Sequence, residues 1–324
     1  MRDLTTLPKA HLHVHLESTI RPGTLREIGE ANGVSLPGQA PVFDGFRAFA
    51  DYNSLIRDCL RRPEDFERIA REFCEDEAAQ GTRYAEVTFT AASHGERLGD
   101  LDLPLESVLK GLKAGGAAHG IDCRVLLDHS RRRSVDRARQ TLDLARRHAA
   151  DGVLGLGMAG EEKHSLTPFA AIFDEAREAG LHLVHHAGED CGPPSIREAL
   201  EIGHSERLGH GIRILEDPAL VAEIRERGIA LEVCPSSNVI LGLVPSFAEH
   251  PLPRLVDAGL VVTVNTDVPS VTGTTLTDEY TRIRETFGYD DHALAVLAAA
   301  GVDASFASAS TKTALHQGIK AWLG

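Results

Sequence analysis

Positive charge is scarce in this chain: 34 lysines and arginines stand against 48 aspartates and glutamates, a formal charge of −14 over 324 residues. That balance excludes non-specific binding to nucleic acid or to an anionic membrane surface, since both depend on cationic patches. Cysteine is scarce too. Cys59, Cys74, Cys123, Cys191 and Cys234 are an odd number with no C-x-x-C spacing, so the pattern encodes no disulfide framework and fits reduced thiols in the cytosol. Long apolar runs are missing. The opening MRDLTTLPKAHLHVHLE has no signal-peptide core, and no stretch approaches the length of a membrane span. These absences predict a cytoplasmic protein whose partner is a small molecule, with no nucleic acid and no membrane; a homodimer is compatible with them. What remains is ordinary for a globular enzyme, with 42% hydrophobic and 25% charged residues. A core of this size needs no covalent staple.

Short β-branched or leucine-rich runs alternate with helical patterns along almost the whole length. Candidate strands cover 11–16, 83–89, 121–128, 152–158, 181–187, 207–209, 229–234 and 260–266. Eight strands separated by helical segments predict a closed (β/α)8 TIM barrel rather than an open doubly wound sheet. One helix reads in detail. Pro63 suits a first turn, Phe66, Ile69, Phe73 and Cys74 recur at three- and four-residue intervals, and Gly81 suits a left-handed stop. The segment between the first two strands is long, about 65 residues, with Gly-Pro punctuation at 33–45. It predicts extra helices covering the C-terminal mouth, with a lid near residues 35–60. No repeat, low-complexity tract or linker interrupts the chain, which predicts a single domain over 1–324.

Chemistry concentrates at the strand ends. In HLHVHLES, alternation puts His13 and His15 on one face of an extended strand. His186 ends LHLVHHAGE, His210 ends ERLGHG and Asp267 ends LVVTVNTD. Imidazoles with one carboxylate suit zinc or a similar borderline metal better than calcium or magnesium. A barrel keeps its catalytic groups at the C-terminal ends of its strands, and closure brings the first strand beside the last.

In this order, PKAHLHVHLES, VHHAGED, RLGHGIR, EVCPSSN and VNTDVP resemble the adenosine deaminase family of the amidohydrolase barrels, over about residues 8 to 315. The resemblance implies one Zn2+ per chain, with Fe2+ or Mn2+ as the other candidates, held by His13, His15, His186 and Asp267. It implies Glu189 as proton donor and His210 as an orienting group beside the metal-bound water. Gly160 corresponds to a glycine whose backbone contacts the purine, and Glu17 to an acid that helps hold the sugar. The chemistry is coherent without the resemblance. Zinc lowers the pKa of bound water from about 15.7 to about 7. Asp267 can accept the proton, His210 can stabilise developing charge, and Glu189 can protonate a ring nitrogen so that ammonia is expelled. A second class of zinc deaminase pairs H-x-E with P-C-x-x-C. His15 and Glu17 supply the first half, but no P-C-x-x-C follows.

Three positions depart from the family pattern. Val268 stands where the family has a second aspartate that binds the purine N7, and this opens an alternative: the same barrel acting on a non-purine C–N bond. His11 replaces a usual acid and Ser18 a usual glycine. In SRRRS, Ser134 can cap the next helix, with Arg131, Arg132 and Arg133 in the loop before it. One of these arginines could hold a substrate carboxylate or phosphate; the alternative is a solvated charge run. A pseudoenzyme would show decay among the ligands or at Glu189, and the sequence shows none.

Overall fold

The computed structural model describes residues 1–37 and 45–324. Eight parallel strands form it: β1 (Lys9–His15), β2 (Thr82–Phe89), β3 (Asp122–Ser130), β4 (Val153–Ala159), β5 (His182–Ala187), β6 (Arg207–His210), β7 (Ala230–Val233) and β8 (Val262–Val264). Each pairs with the next in sequence order. All eight candidate strands are present, with ends shifted by a few residues. Helices cover the outer face and side chains fill the interior, so apolar runs such as Val125–Leu127 are buried throughout.

Closure between β8 and β1 is made by side chain as well as backbone. Val14 bridges Asp267; the His15 N–H donates to the Asp267 carbonyl at 2.9 Å and the Asp267 N–H to the His13 carbonyl at 2.9 Å. The Asn265 side-chain oxygen accepts from the backbone N–H groups of Leu12 (2.8 Å) and His13 (3.1 Å). The amide of Asn265 thus extends a very short last strand, and the first and last ligand segments are stitched directly together.

The helix expected after Pro63 runs Pro63–Ala79 and buries Phe66, Ile69, Phe73 and Cys74. Gly81 follows with φ 88°, which a side chain would strain. Between β1 and β2 lie that helix and two more, Pro22–Ala31 and Gly45–Cys59. The second of these is the expected cover of the mouth: Ala50, Asn53, Ser54 and Arg57, at helical spacing, face the central cavity. Part of the punctuated segment at 33–45 lies outside the described residues. All five cysteines are free thiols. Among the described residues no helix is long and apolar enough to cross a membrane.

Candidate active site

The C-terminal ends of β1, β5 and β6 and the residues after β8 meet at the floor of a cavity of about 410 Å³. Ligand atoms of His13, His186, His210 and Asp267 all lie within 4.8 Å of one another. His15 Nε2 stands 3.3 Å from His186 Nε2 and 3.3 Å from Asp267 Oδ1, and His13 Nε2 stands 3.7 Å from the same oxygen. The five residues singled out at strand ends are therefore brought together. Among the described residues only three that are not glycine have positive φ, and His210 (64°) and Asp267 (60°) are two of them. Left-handed backbone at such residues costs on the order of 1–3 kcal/mol and persists where surrounding structure enforces it. Here the closure bonds on either side of Asp267 do so.

Hydrogen bonds on the far side of each ring separate His210 from the other histidines. His13 Nδ1 faces Glu232 Oε2 at 2.8 Å and His186 Nδ1 faces the Met158 carbonyl at 3.2 Å. Both partners are acceptors, so each ring carries its proton on Nδ1 and turns the Nε2 lone pair inward. His210 is wired the other way. The Leu252 N–H donates to His250 Nδ1 (3.1 Å), so His250 donates from Nε2 to Asn238 Oδ1 (3.2 Å). That leaves the Asn238 Nδ2–H facing His210 Nδ1 at 3.3 Å. The His210 proton is thereby assigned to Nε2, which points into the site as a donor. The network turns the Nε2 lone pairs of His13 and His186 into the site and, at His210, an Nε2–H donor.

This donor set fits a divalent metal. The Nε2 atoms of His15 and His186 approach to 3.3 Å, and the buried His13 Nε2 has no hydrogen-bond partner. Imidazole nitrogens and a carboxylate gathered at this spacing suit a cation between them. Burial opposes positive charge on His13, but Asp267 and Glu232 on either side outweigh it and raise the imidazole to about 10; the surroundings thus favour a positive charge at Nε2, a place that a bound cation takes in exchange for the proton. Burial, with His13 and His15 nearby, holds His186 well below its ordinary value, in the neutral form a ligand requires. Burial and the neighbouring His13 hold His210 down at about 3. Burial pushes Glu189 well above the usual carboxylate range, reinforced by Asp267 and Glu162. Its buried Oε1 has no hydrogen-bond partner and lies 3.6 Å from His210 Nε2. A carboxyl biased towards its neutral form and a neutral N–H donor thus stand side by side at the histidine cluster.

Several supporting residues escaped the sequence reading. Ser237 donates to Asp267 Oδ2 at 2.6 Å, so Ser237 and Asn238, both from the C-P-S-S-N run, hold two site residues. Glu232 also accepts from Arg207 Nε at 2.7 Å, and Arg207 binds Glu86, forming a buried chain of charges beneath His13. Glu162 accepts from three successive backbone N–H groups, of Gly188 (2.8 Å), Glu189 (2.7 Å) and Asp190 (3.3 Å). It fixes the turn that carries Glu189. A signal was present for the first set: Glu86, Arg207 and Glu232 are charges within strands that a barrel buries on both faces, where charges must pair.

The expected substrate residues divide. Glu17 lines the cavity, with its carboxylate accepting from the Thr90 N–H (3.2 Å) and facing His94 Nε2 (3.1 Å). Gly160 lines it with φ 87°, and a Cβ there would meet Ser130 Oγ at 3.0 Å. Val268 does not line it: the side chain is buried against Val271, Tyr52 and Leu241, because adjacent positions point to different sides of the backbone. His11 is enclosed between Thr266 and Glu77. Ser18 reaches the wall. The three arginines also part. Arg131 is buried and donates to the carbonyls of Glu162, His164 and His186, while Arg132 and Arg133 face the cavity.

Residues 8–322 match the family described as adenosine deaminase. An aminodeoxyfutalosine deaminase of Streptomyces coelicolor is 37% identical, over 98% of this chain and 86% of its own length. An adenine deaminase of the same organism is 36% identical, over 94% and 91%. The crystal structure of adenine deaminase from Arthrobacter aurescens superposes with a TM-score of 0.92 at 31% identity, over 98% of this chain and 99% of that one. With a site of this geometry and these relatives, the chain belongs to the adenosine deaminase family and is a hydrolytic deaminase.

Proposed function

We propose that the cavity converts the exocyclic amine of an amino-purine, or of a closely related amino-heterocycle, to an oxo group and ammonia, with one zinc ion held by His13, His15, His186 and Asp267. One observation carries this reading: the Glu189 carboxyl, which burial biases towards its protonated form, and an N–H donor (His210 Nε2) stand 3.6 Å apart beside the inward-facing nitrogens of His13 and His186. Zinc, when bound, supplies the Lewis acidity that makes water nucleophilic at neutral pH; Fe2+ and Mn2+ suit the same donors but bind such sites more weakly.

The protein's own groups account for the remaining steps. Glu189 delivers its proton to a ring nitrogen, which opens the adjacent carbon to attack by water. His210 donates from Nε2 to the oxygen as negative charge gathers there. Asp267, fixed by Ser237 at 2.6 Å, accepts a proton from the water and passes it to the departing nitrogen. The bond from ring carbon to amino nitrogen breaks, with its electron pair leaving on ammonia, and the remaining hydroxyl proton returns to Glu189 as the oxo group forms. Glu17 and the backbone of Gly160 hold the rest of the substrate at the cavity wall. The non-purine alternative rested on Val268, whose side chain is not part of that wall. We take 1–324 as one catalytic unit acting in the cytoplasm, a reading that the five free thiols support.

Metal-loaded protein is expected to release ammonia from at least one of adenine, adenosine, adenosine 5′-monophosphate and 6-aminodeoxyfutalosine. Glu189→Gln should lose turnover by about 10²–10⁴-fold while keeping one metal per chain. No ammonia from any of the four, with metal bound, would refute the reading. Normal turnover by the variant would refute Glu189 as the acid.

A further inference from the structure

The cavity has a second chemical pole. Arg132 and Arg133 leave the end of β3 (Asp122–Ser130), two strands from β1 and two from β5, and Arg57 descends from the helix Gly45–Cys59 above the mouth. All three arginines line the same cavity as the floor residues. Their counter-charges are incomplete. Glu161 is shared between Arg132 (3.5 Å) and Lys163 (2.6 Å), and Glu96 between Arg133 (3.3 Å) and Arg137 (3.1 Å). Among the described residues, Arg57 makes no side-chain hydrogen bond or ion pair. Five cations therefore face two carboxylates in this cluster, in a protein whose overall charge is −14.

The cations also crowd one another. Burial, with Arg137 and Arg57 close by, holds the Arg133 guanidinium below its usual value, although Glu96 pulls the other way. Acids elsewhere on the wall do not neutralise the cluster. Glu17 is committed to His94 and the Thr90 N–H. Burial pushes Asp128 up towards its neutral form, and Asp51 has a partner of its own. An ammonia-releasing floor does not require any of these arginines. A bare purine base would leave them facing solvent.

We propose that the physiological substrate carries an anionic group, a phosphate or a carboxylate, at the end remote from its reacting amine, and that Arg57, Arg132 and Arg133 bind it. The proposal builds on the deaminase reading and selects, within it, an anionic nucleoside over a free base or a neutral nucleoside. Guanidinium groups converge on such oxygens in a planar, charge-assisted geometry. A cationic mouth on an acidic protein also focuses the field on an arriving anion, and salt weakens that effect.

Binding of reaction products tests this without requiring turnover. Inosine, inosine 5′-monophosphate and inosine 5′-carboxylate are titrated calorimetrically into the metal-loaded protein, at low and at high salt. The expected result is that at least one anionic form binds about tenfold or more tightly than inosine, the preference shrinking as salt rises. The two anionic arms tell a phosphate substrate from a carboxylate one. Arg57→Ala, Arg132→Ala and Arg133→Ala should each reduce the ratio of anionic to neutral affinity, and Arg132→Lys should restore part of it. A purely structural role would lower both affinities together and leave the ratio alone. Equal affinities, a preference that survives all three substitutions, or no binding of either anionic form would overturn the proposal. Ammonia release without an anionic preference would leave the deaminase reading standing. A preference without ammonia release from any amino-purine would instead remove the deaminase reading and leave the anion site.

Discussion

At the floor of the cavity four of the clustered side chains are each braced by a buried partner, whereas at the rim Arg132 and Arg133 share their acids with other cations. His13 rests on Glu232, His186 on the Met158 carbonyl, His210 on Asn238 and Asp267 on Ser237, over distances of 2.6–3.3 Å. Arg132, Arg133 and Arg137 keep a third to a half of their side-chain surface in solvent. The floor thus fixes tautomer, charge and direction before a substrate arrives, which reaction chemistry demands. The rim offers charge on long, partly exposed side chains. The difference teaches that a network of buried partners fixes the groups at the strand ends, while the charged groups at the mouth keep their freedom to move.

The contrast is broken most severely by cutting the brace furthest from the substrate. Arg207 is buried between Glu86 and Glu232, and Glu232 in turn holds His13. Arg207→Ala would strand two carboxylates inside the barrel, and removing one partner of a buried pair costs about 3–5 kcal/mol. The expected outcome is a large drop in the denaturation midpoint, together with lost metal affinity. A variant as stable as the parent would mean that the chain of charges is not what holds the floor.

A smaller and more local effect is expected at Glu162. Its carboxylate gathers the N–H groups of Gly188, Glu189 and Asp190, so it positions Glu189, the proposed acid, without touching the proposed ligands. Glu162→Gln places an amide where three donors converge and leaves His13, His15, His186 and Asp267 unaltered. We expect kcat to fall about 10–100-fold, with KM and metal content close to the parent's. An equal loss in metal content would mean that the turn serves His186 rather than Glu189.

These braces also mark the boundary of what was legible in the sequence. The eight strands could be read because barrel strands repeat a short apolar pattern between helices. The five site residues could be read because each lies near or just past the C-terminal end of a strand, and strand order sets their neighbours. The partners could not. Glu232 meets His13 across 219 positions, and Asn265 caps β1 across more than 250; no local period encodes such pairs. The SRRRS run shows the same limit at short range. It reads as one charge cluster, yet Arg131 turns inward to three carbonyls while Arg132 and Arg133 face the cavity. Direction along an irregular loop follows from tertiary contacts, and composition does not carry it.

Val268 gives the smallest expected effect, and the one that most sharpens the division between floor and rim. Its place directly after Asp267 suggested a residue that reads the substrate ring. Adjacency in sequence is weak evidence of a shared face, however, and Val268 is buried with Val271, Tyr52 and Leu241 instead. If position 268 did read the ring, Val268→Asp would add a polar contact, and such contacts shift kcat/KM by up to roughly 10⁴–10⁵. From its packed position the substitution should leave the ranking of amino-purine substrates unchanged. Its cost should fall on stability, about 1–3 kcal/mol for an unpaired polar group placed in an apolar cluster. Both quantities can be read from one variant, by ranking kcat/KM over the substrate panel and by denaturant titration. A reordered ranking at unchanged stability would move Val268 into the recognition wall, and recognition would then reach down to the floor.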